Sequence, residues 1–427
     1  MDKINLSKIF DELFPINRSI LGPGYIKSLN IVKRYINFSL LKYKSGKRIF
    51  DWVVPKEWHI VDAYINYKNR KIIDMKKNNL HVVNYSEKVD KLLNLKKLNE
   101  HLYSLPKQPK HIPYVTSYYK ERWGFCLPHE KRKKLKKGIY HCFINSKFSN
   151  GYLVNGLSTL KGKSNKINLI STYLCHPSLA NNELSGPLVM IGLFNRIKQW
   201  KSRNFTYMFL VNPETIGSLC FLYSHGKKLI KHLNSGLILT CLGGSEKKLS
   251  YKLSKNCNST LDKLFLYLNK SKKIKIRKFS PSSGSDERQY NSPGFNLPVG
   301  NICRSVYGEY PQYHNSSDNK KFMDINKIYE TINSLDNFLK INDKLLPLKR
   351  AIPFGEVMLS KRNLYDNLNF TGKSSKKNNK EIIQNILCYA DGKKNILDIV
   401  KERNLNLNES LIILEKCVQK KIISYKC

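Results

Sequence analysis

Acidic residues are scarce in this 427-residue chain: 32 Asp and Glu stand against 75 Lys and Arg, a formal charge of +43. That balance excludes an acidic, cation-sequestering protein and raises nucleic acid or an anionic surface as a partner. The excess is mainly Lys, spread along solvated faces with abundant Asn and Ile, so A/T-rich codon bias is a competing source of the charge. No apolar run reaches the roughly eighteen residues that a membrane-spanning helix requires. A charged-then-apolar leader is also missing from the N-terminus, which predicts a cytoplasmic protein. The 10 cysteines form no CxxC pair and do not cluster with His at zinc-finger spacing. Free thiols in a reducing compartment follow from that pattern. There is no internal repeat.

What is present is enough for a large folded core. Hydrophobic residues make up 41% and aromatics 11% of the chain, which excludes a disordered protein. Residues 1–49 read as two helices broken by the loop around Pro15, Arg18 and Gly22. Residues 50–150 alternate short apolar runs with turn residues, the texture of a small β-rich domain. From 151 to 345, strands expected at Ile167–Leu174, Phe205–Val211, Gly236–Leu242 and Leu297–Cys303 alternate with helices at Pro187–Lys198, Gly217–Tyr223, Thr260–Asn269 and Ile325–Leu339. That order predicts an α/β fold with a mainly parallel sheet and helices on both faces. Residues 346–427 read as a linker, Lys/Asn/Ser-rich over Thr371–Lys380, followed by a winged-helix-like module.

Four polar clusters fall at the expected strand ends. The first joins His176 to Asn181, Asn182 and Glu183; the second is Glu214 between Pro213 and Thr215. The third runs from Ser282 through Asp286, Glu287 and Arg288 to Tyr290, and the fourth from Tyr307 through Glu309 and Tyr313 to His314 and Asp318. Ligands bind outside the carboxyl ends of strands in open α/β sheets. Two histidines and a carboxylate converging there make the minimal set for a catalytic zinc site with one position open. A strand-capping His176, a helix-capping Glu214 and a structural His314 are the plain alternatives.

The order His, carboxylate loop, Glu before Gly-Ser, Ser-Asp and then Tyr-His resembles the zinc aminopeptidases. More closely, the chain resembles a bacterial family with an aminopeptidase-like domain, often linked to polysaccharide biosynthesis. The matching stretches include Phe14–Ser19, Phe50–Trp58, Pro113–Tyr119, Cys175–Ser178, Pro213–Ser218, Ser285–Tyr290 and Gly308–Pro311. They cover nearly the whole chain. The resemblance implies an aminopeptidase-like α/β domain with an inserted β-rich domain and a C-terminal winged helix. It implies metal ligation by His176 and His314, with Glu214 as general base or ligand. Asn182 stands where the superfamily places a metal-bridging carboxylate, and Gly244 where the family tends to have Asp. Asn182 can therefore bind only through its carbonyl oxygen, with Glu183 next to it as a substitute. One zinc ion is implied rather than two, with no ion as the alternative.

Asp286 and Glu287 are candidates to engage a substrate amine, and Arg288 and Arg304 to hold a carboxylate or phosphate. Tyr290, Tyr307 and Tyr313 complete the substrate-binding candidates, against the alternative of a loop folded on itself. Three functions follow as expectations. The first is a metal-dependent hydrolase of an amide bond in a small peptide, aminoacyl or N-acyl substrate. The second is a catalytically impaired descendant that binds a ligand or partner through the same pocket. The third is nucleic-acid binding through the basic winged helix. A homo-oligomer is compatible with each.

Overall fold

The computed structural model describes residues 4–364 and 377–426. The chain divides into two compact units. One comprises Met1–Leu160, Ile167–Trp200 and Tyr207–Asp336; the other comprises Lys161–Lys166, Lys201–Thr206 and Asn337–Cys427.

The first unit is built on an eight-stranded sheet. Its strands are β1 (Ser39–Lys44), β2 (Tyr152–Leu160), β3 (Ile167–Tyr173), β4 (Thr206–Asn212), β5 (Leu233–Leu239), β6 (Ser250–Lys252), β7 (Lys275–Arg277) and β8 (Val299–Cys303). Their spatial order is β1-β2-β4-β3-β5-β8-β6-β7. The β3/β5 and β5/β8 pairs are parallel, while β1/β2, β2/β4 and β6/β8 are antiparallel. Every residue of β3 is buried, as expected for a central strand covered on both faces. Its polar side chains survive there because each has a partner. Asn168 Oδ1 accepts from Ser235 Oγ at 2.8 Å, and Thr172 Oγ1 donates to the Leu239 carbonyl at 3.0 Å.

The edge strand β1 corrects the all-helical reading of the N-terminal segment. Helices cover Leu6–Leu13 and Pro23–Lys33, and Ser39–Lys44 then pairs with β2. The helix expected at Gly217–Tyr223 runs as Ile216–His232. Lys227, Lys228 and Lys231 mask its periodicity, although Leu229 is fully buried.

Between β1 and β2 the chain forms a four-stranded antiparallel sheet, in the order Arg70–Asp74, Glu57–Tyr67, Ile139–Ser149, Val89–Asn94. Within this β-rich region the chain also makes a single tight turn, Asn79–His81, capped by the Asn78 side chain.

The second unit carries helices Lys377–Tyr389, Ile396–Glu402 and Leu407–Gln419. A two-stranded wing pairs Leu348–Arg350 with Ile423–Tyr425. Asn395 and Asp398 cap the middle helix reciprocally. Of the linker expected at Thr371–Lys380, residues up to 376 lie outside the described residues; Lys377–Lys380 begin the first of these helices.

Candidate metal and substrate site

His176 follows β3 and Glu214 follows β4, so two neighbouring strands deliver them to one end of the sheet. His314 arrives from a loop, with its backbone at φ +56°. His176 and His314 place their ring centroids 5.7 Å apart, and Glu214 Oε2 lies 3.6 Å from His176 Nε2. All three line a cavity of about 320 Å³.

The opposite edge of the His176 ring is held by buried groups. Nδ1 lies 2.7 Å from Glu183 Oε2 and 3.3 Å from Cys175 Sγ. Cys175, His176 and Glu183 also form a compact group of potential metal donors. Because both neighbours converge on the single Nδ1 atom, Glu183 as an ion pair and Cys175 by a hydrogen bond, we read the trio as a brace rather than a metal cage. A carboxylate on one ring nitrogen fixes the tautomer and aims the other nitrogen, here Nε2, at the cavity. Burial works against a charged His176, but Cys175 and Glu183 outweigh it and hold its pKa well above the usual value. The Cys175 thiol is itself pushed up to about 11 by burial. His314 is driven the other way, down to about 3, by burial and then by His176, so at neutral pH it is an uncharged imidazole. Burial raises the pKa of Glu214, with His176 and a 2.5 Å hydrogen bond from Ser285 Oγ opposing.

The loop carrying Glu214 is strained. Thr215 adopts φ 63° and ψ −75°, and the Ile216 N–H donates to the Glu214 carbonyl at 2.8 Å. This is the rare, strained form of γ-turn, worst for a β-branched residue. Asp286 holds it by accepting from Thr215 N at 2.6 Å and from Asn212 Nδ2 at 2.9 Å. Such conformations store about 1–3 kcal/mol. Thr215→Gly is therefore expected to raise stability by about 1 kcal/mol, read as a higher denaturant midpoint. A lower midpoint would mean that the threonine side chain, not the backbone, secures the loop.

Asn182 is held through its amide nitrogen. Its Nδ2 donates to Tyr173 Oη at 3.2 Å and to Cys241 Sγ at 3.7 Å, leaving a buried Oδ1 without a partner. The wide turn Ala180–Leu184 that carries it is fastened by Asp318, whose carboxylate accepts from the backbone N–H of Asn181 and Asn182 at 2.7 and 2.9 Å.

Several side chains expected at the substrate have partners inside the fold. Asp286 is fully buried on the Glu214 loop, and Glu287 is ion-paired with buried Lys252 while accepting the Ser285 N–H. Tyr290 belongs to the hydrophobic core beneath the sheet. Arg304 donates to Thr331 Oγ1 and to the Glu246 carbonyl. Each carries the polarity expected of a binding group, but its partners lie inside the fold. Arg288 donates to the Ser285 carbonyl, Tyr307 accepts from Arg277, and Tyr313 stacks on His314 at 3.9 Å.

The tyrosine wall has no counterpart in the sequence-based expectations. Tyr114 packs against both histidines, with centroids 4.9 Å from His176 and 5.3 Å from His314. Its hydroxyl meets that of Tyr118 at 2.7 Å. The Tyr114 N–H donates to the His314 carbonyl at 2.9 Å, and Pro113 bridges to Asn315. Residues from between β1 and β2 thus build one side of the cavity.

Residues 7–344 match the family model described as a domain of unknown function, DUF4910. The chain belongs to the DUF4910 family. A winged helix-turn-helix model matches residues 347–425, a fold compatible with nucleic-acid binding and equally with protein docking. A curated Clostridium acetobutylicum protein, provisionally described as a polysaccharide biosynthesis protein with an aminopeptidase-like domain, is 38% identical over 404 residues. That match covers 92% of this chain and 89% of the relative. The crystal structure of a protein from the same species, provisionally described as a peptidase, superposes on this DUF4910 member with a TM-score of 0.87 at 33% identity. It covers 99% of this chain and 96% of that one. The Bacillus subtilis zinc aminopeptidase BSAP has a TM-score of 0.56 at 10% identity, over 79% of this chain and 94% of that chain. This DUF4910 member therefore has an aminopeptidase-like fold, and among the described residues no helix is long and apolar enough to cross a membrane.

Proposed function

We propose that the chain is a metal-dependent hydrolase of an amide bond in a small substrate. The observation that carries the reading is the convergence of His176 Nε2, Glu214 and His314 on one aromatic-walled cavity. The imidazoles of His176 and His314 would be the nitrogen donors for one zinc ion, with Glu214 beside them as the base. A second ion would lack a bridging carboxylate, since Asn182 is neutral and Asp318 is engaged by backbone hydrogen bonds. When bound, zinc supplies Lewis acidity toward the scissile carbonyl and its attacking water.

The chain's own groups supply the rest. Glu183 keeps the His176 ring oriented. Glu214, held by Ser285 and with a pKa raised by burial, accepts the proton of the attacking water and returns it to the leaving nitrogen. Tyr114 closes the wall that excludes bulk water.

Metal content of the purified protein and hydrolysis of aminoacyl and N-acyl substrates test this. His314→Ala is expected to lower zinc affinity by at least about tenfold and to abolish turnover. Wild-type occupancy and turnover in that variant would sink the reading.

A second reading, an impaired member that binds without turning over, draws on Asn182. Asn182→Asp supplies the absent carboxylate and is expected to raise the bound zinc toward two ions, measured by elemental mass spectrometry. An unchanged stoichiometry would remove Asn182 as the cause of any impairment.

A further inference from the structure

Among the described residues, the buried carboxylates around the site face groups inside the fold, and this restricts what can enter. Glu183 is fully buried and faces His176 Nδ1. Asp286 holds Thr215 and Asn212, Glu287 pairs with Lys252, and Asp318 fastens the turn at Asn181 and Asn182. Among the described residues Glu214 is the one carboxylate lining the cavity, and hydrolysis already occupies it. A substrate carrying a free α-ammonium group would enter without a counter-charge, and a desolvated unpaired charge costs several kcal/mol.

The remaining lining is neutral. Ile20, Trp52, Tyr114, Thr116, Tyr118 and Tyr119 supply apolar faces and hydroxyls. Trp52 and Tyr119 meet edge to face at 5.4 Å and remain 37% and 50% exposed, so ring surface is open to a ligand. Trp52 is presented by a tight hairpin that pairs Arg48 with Val53 and Ile49 with Trp52, its turn made by Phe50 at φ +55°. Aromatic faces of this kind take up flat, partly apolar rings.

We propose that this cavity selects a neutral N-acyl amide, stacked against Trp52 and Tyr119, over a substrate with a free α-amine. The chemistry rests on the hydrolase reading; the selectivity rests on the lining alone. Water adds to the acyl carbon, the C–N bond breaks, and the proton held by Glu214 passes to the leaving nitrogen, giving a carboxylic acid and an amine. An N-acylated amino sugar meets the requirement, with a ring to stack and an amide to cleave.

Calorimetry on the zinc-loaded full chain, with N-acetylglucosamine, glucosamine and leucinamide as probes, tests the selectivity. Acetate release is assayed separately. N-acetylglucosamine is expected to bind at least about tenfold more tightly than either amine. Trp52→Ala should weaken it about fivefold. Thr116→Asp, which introduces a carboxylate into the lining, should shift the preference toward the amines by about tenfold. Equal or tighter binding of the amines, or no binding of N-acetylglucosamine, overturns the inference. Preferential binding without acetate release would sink the hydrolase reading and leave this one standing.

Discussion

Glu214→Gln is expected to lower kcat/KM by about 10²- to 10⁴-fold, the range a positioned general base contributes. The variant keeps the side chain's shape and can still accept from Ser285 Oγ, which lies 2.5 Å from Oε1. What it loses is the capacity to take a proton from water. Zinc content separates the two roles open to this residue. If Glu214 is chiefly the base, occupancy stays near wild type while turnover collapses. If it is chiefly a ligand, occupancy falls in step with turnover. Full activity in the variant would remove Glu214 from the mechanism altogether.

Arg18→Ala should cost about 3–5 kcal/mol of stability, the loss expected when a buried charged network is broken. Arg18 has no exposed surface, and its Nε donates to the His176 carbonyl at 3.1 Å. Its Nη1 donates to the Leu13 carbonyl and to Ser28 Oγ, and its charge faces fully buried Glu183. Removing it takes a cation from the neighbourhood of Glu183, which is left with His176 alone, and frees the backbone of His176. Thermal melts with and without zinc measure the loss. The double variant Arg18→Met with Glu183→Gln should recover part of it, since exchanging both charges for neutral groups is far less costly than orphaning one. A loss below about 1 kcal/mol in the single variant would show that Arg18 is not what secures this edge of the site.

Arg18 also shows where sequence reading stops. The motif around it was recognisable as a family stretch, yet nothing in a lone arginine near the N-terminus shows that it bonds to the carbonyl of His176. The central strands and most helices of the α/β unit were legible because β3, β4 and β5 are apolar runs separated by helical periodicity. His176, Glu214 and His314 were legible because two follow strands and the third lies in a polar loop. The substrate residues were read less well, for a physical reason. Asp286, Glu287 and Arg304 have the charge a ligand would want, but charge in a sequence does not reveal that Asn212, Lys252 and Thr331 already meet it. The tyrosine wall was missed for the opposite reason. Tyr114 and Tyr118 have no charge to attract notice, and they lie far along the chain from the histidine they cover.

The pairing of Pro113 with Asn315, and of the Tyr114 N–H with the His314 carbonyl, has a mechanical consequence. The position of His314 is written partly in a segment that sits outside the main sheet. A shift of the Pro113–Tyr114 backbone is therefore felt at the backbone of His314. Residues Ile112–Tyr114 and His314–Ser316 thus behave mechanically as two halves of one part.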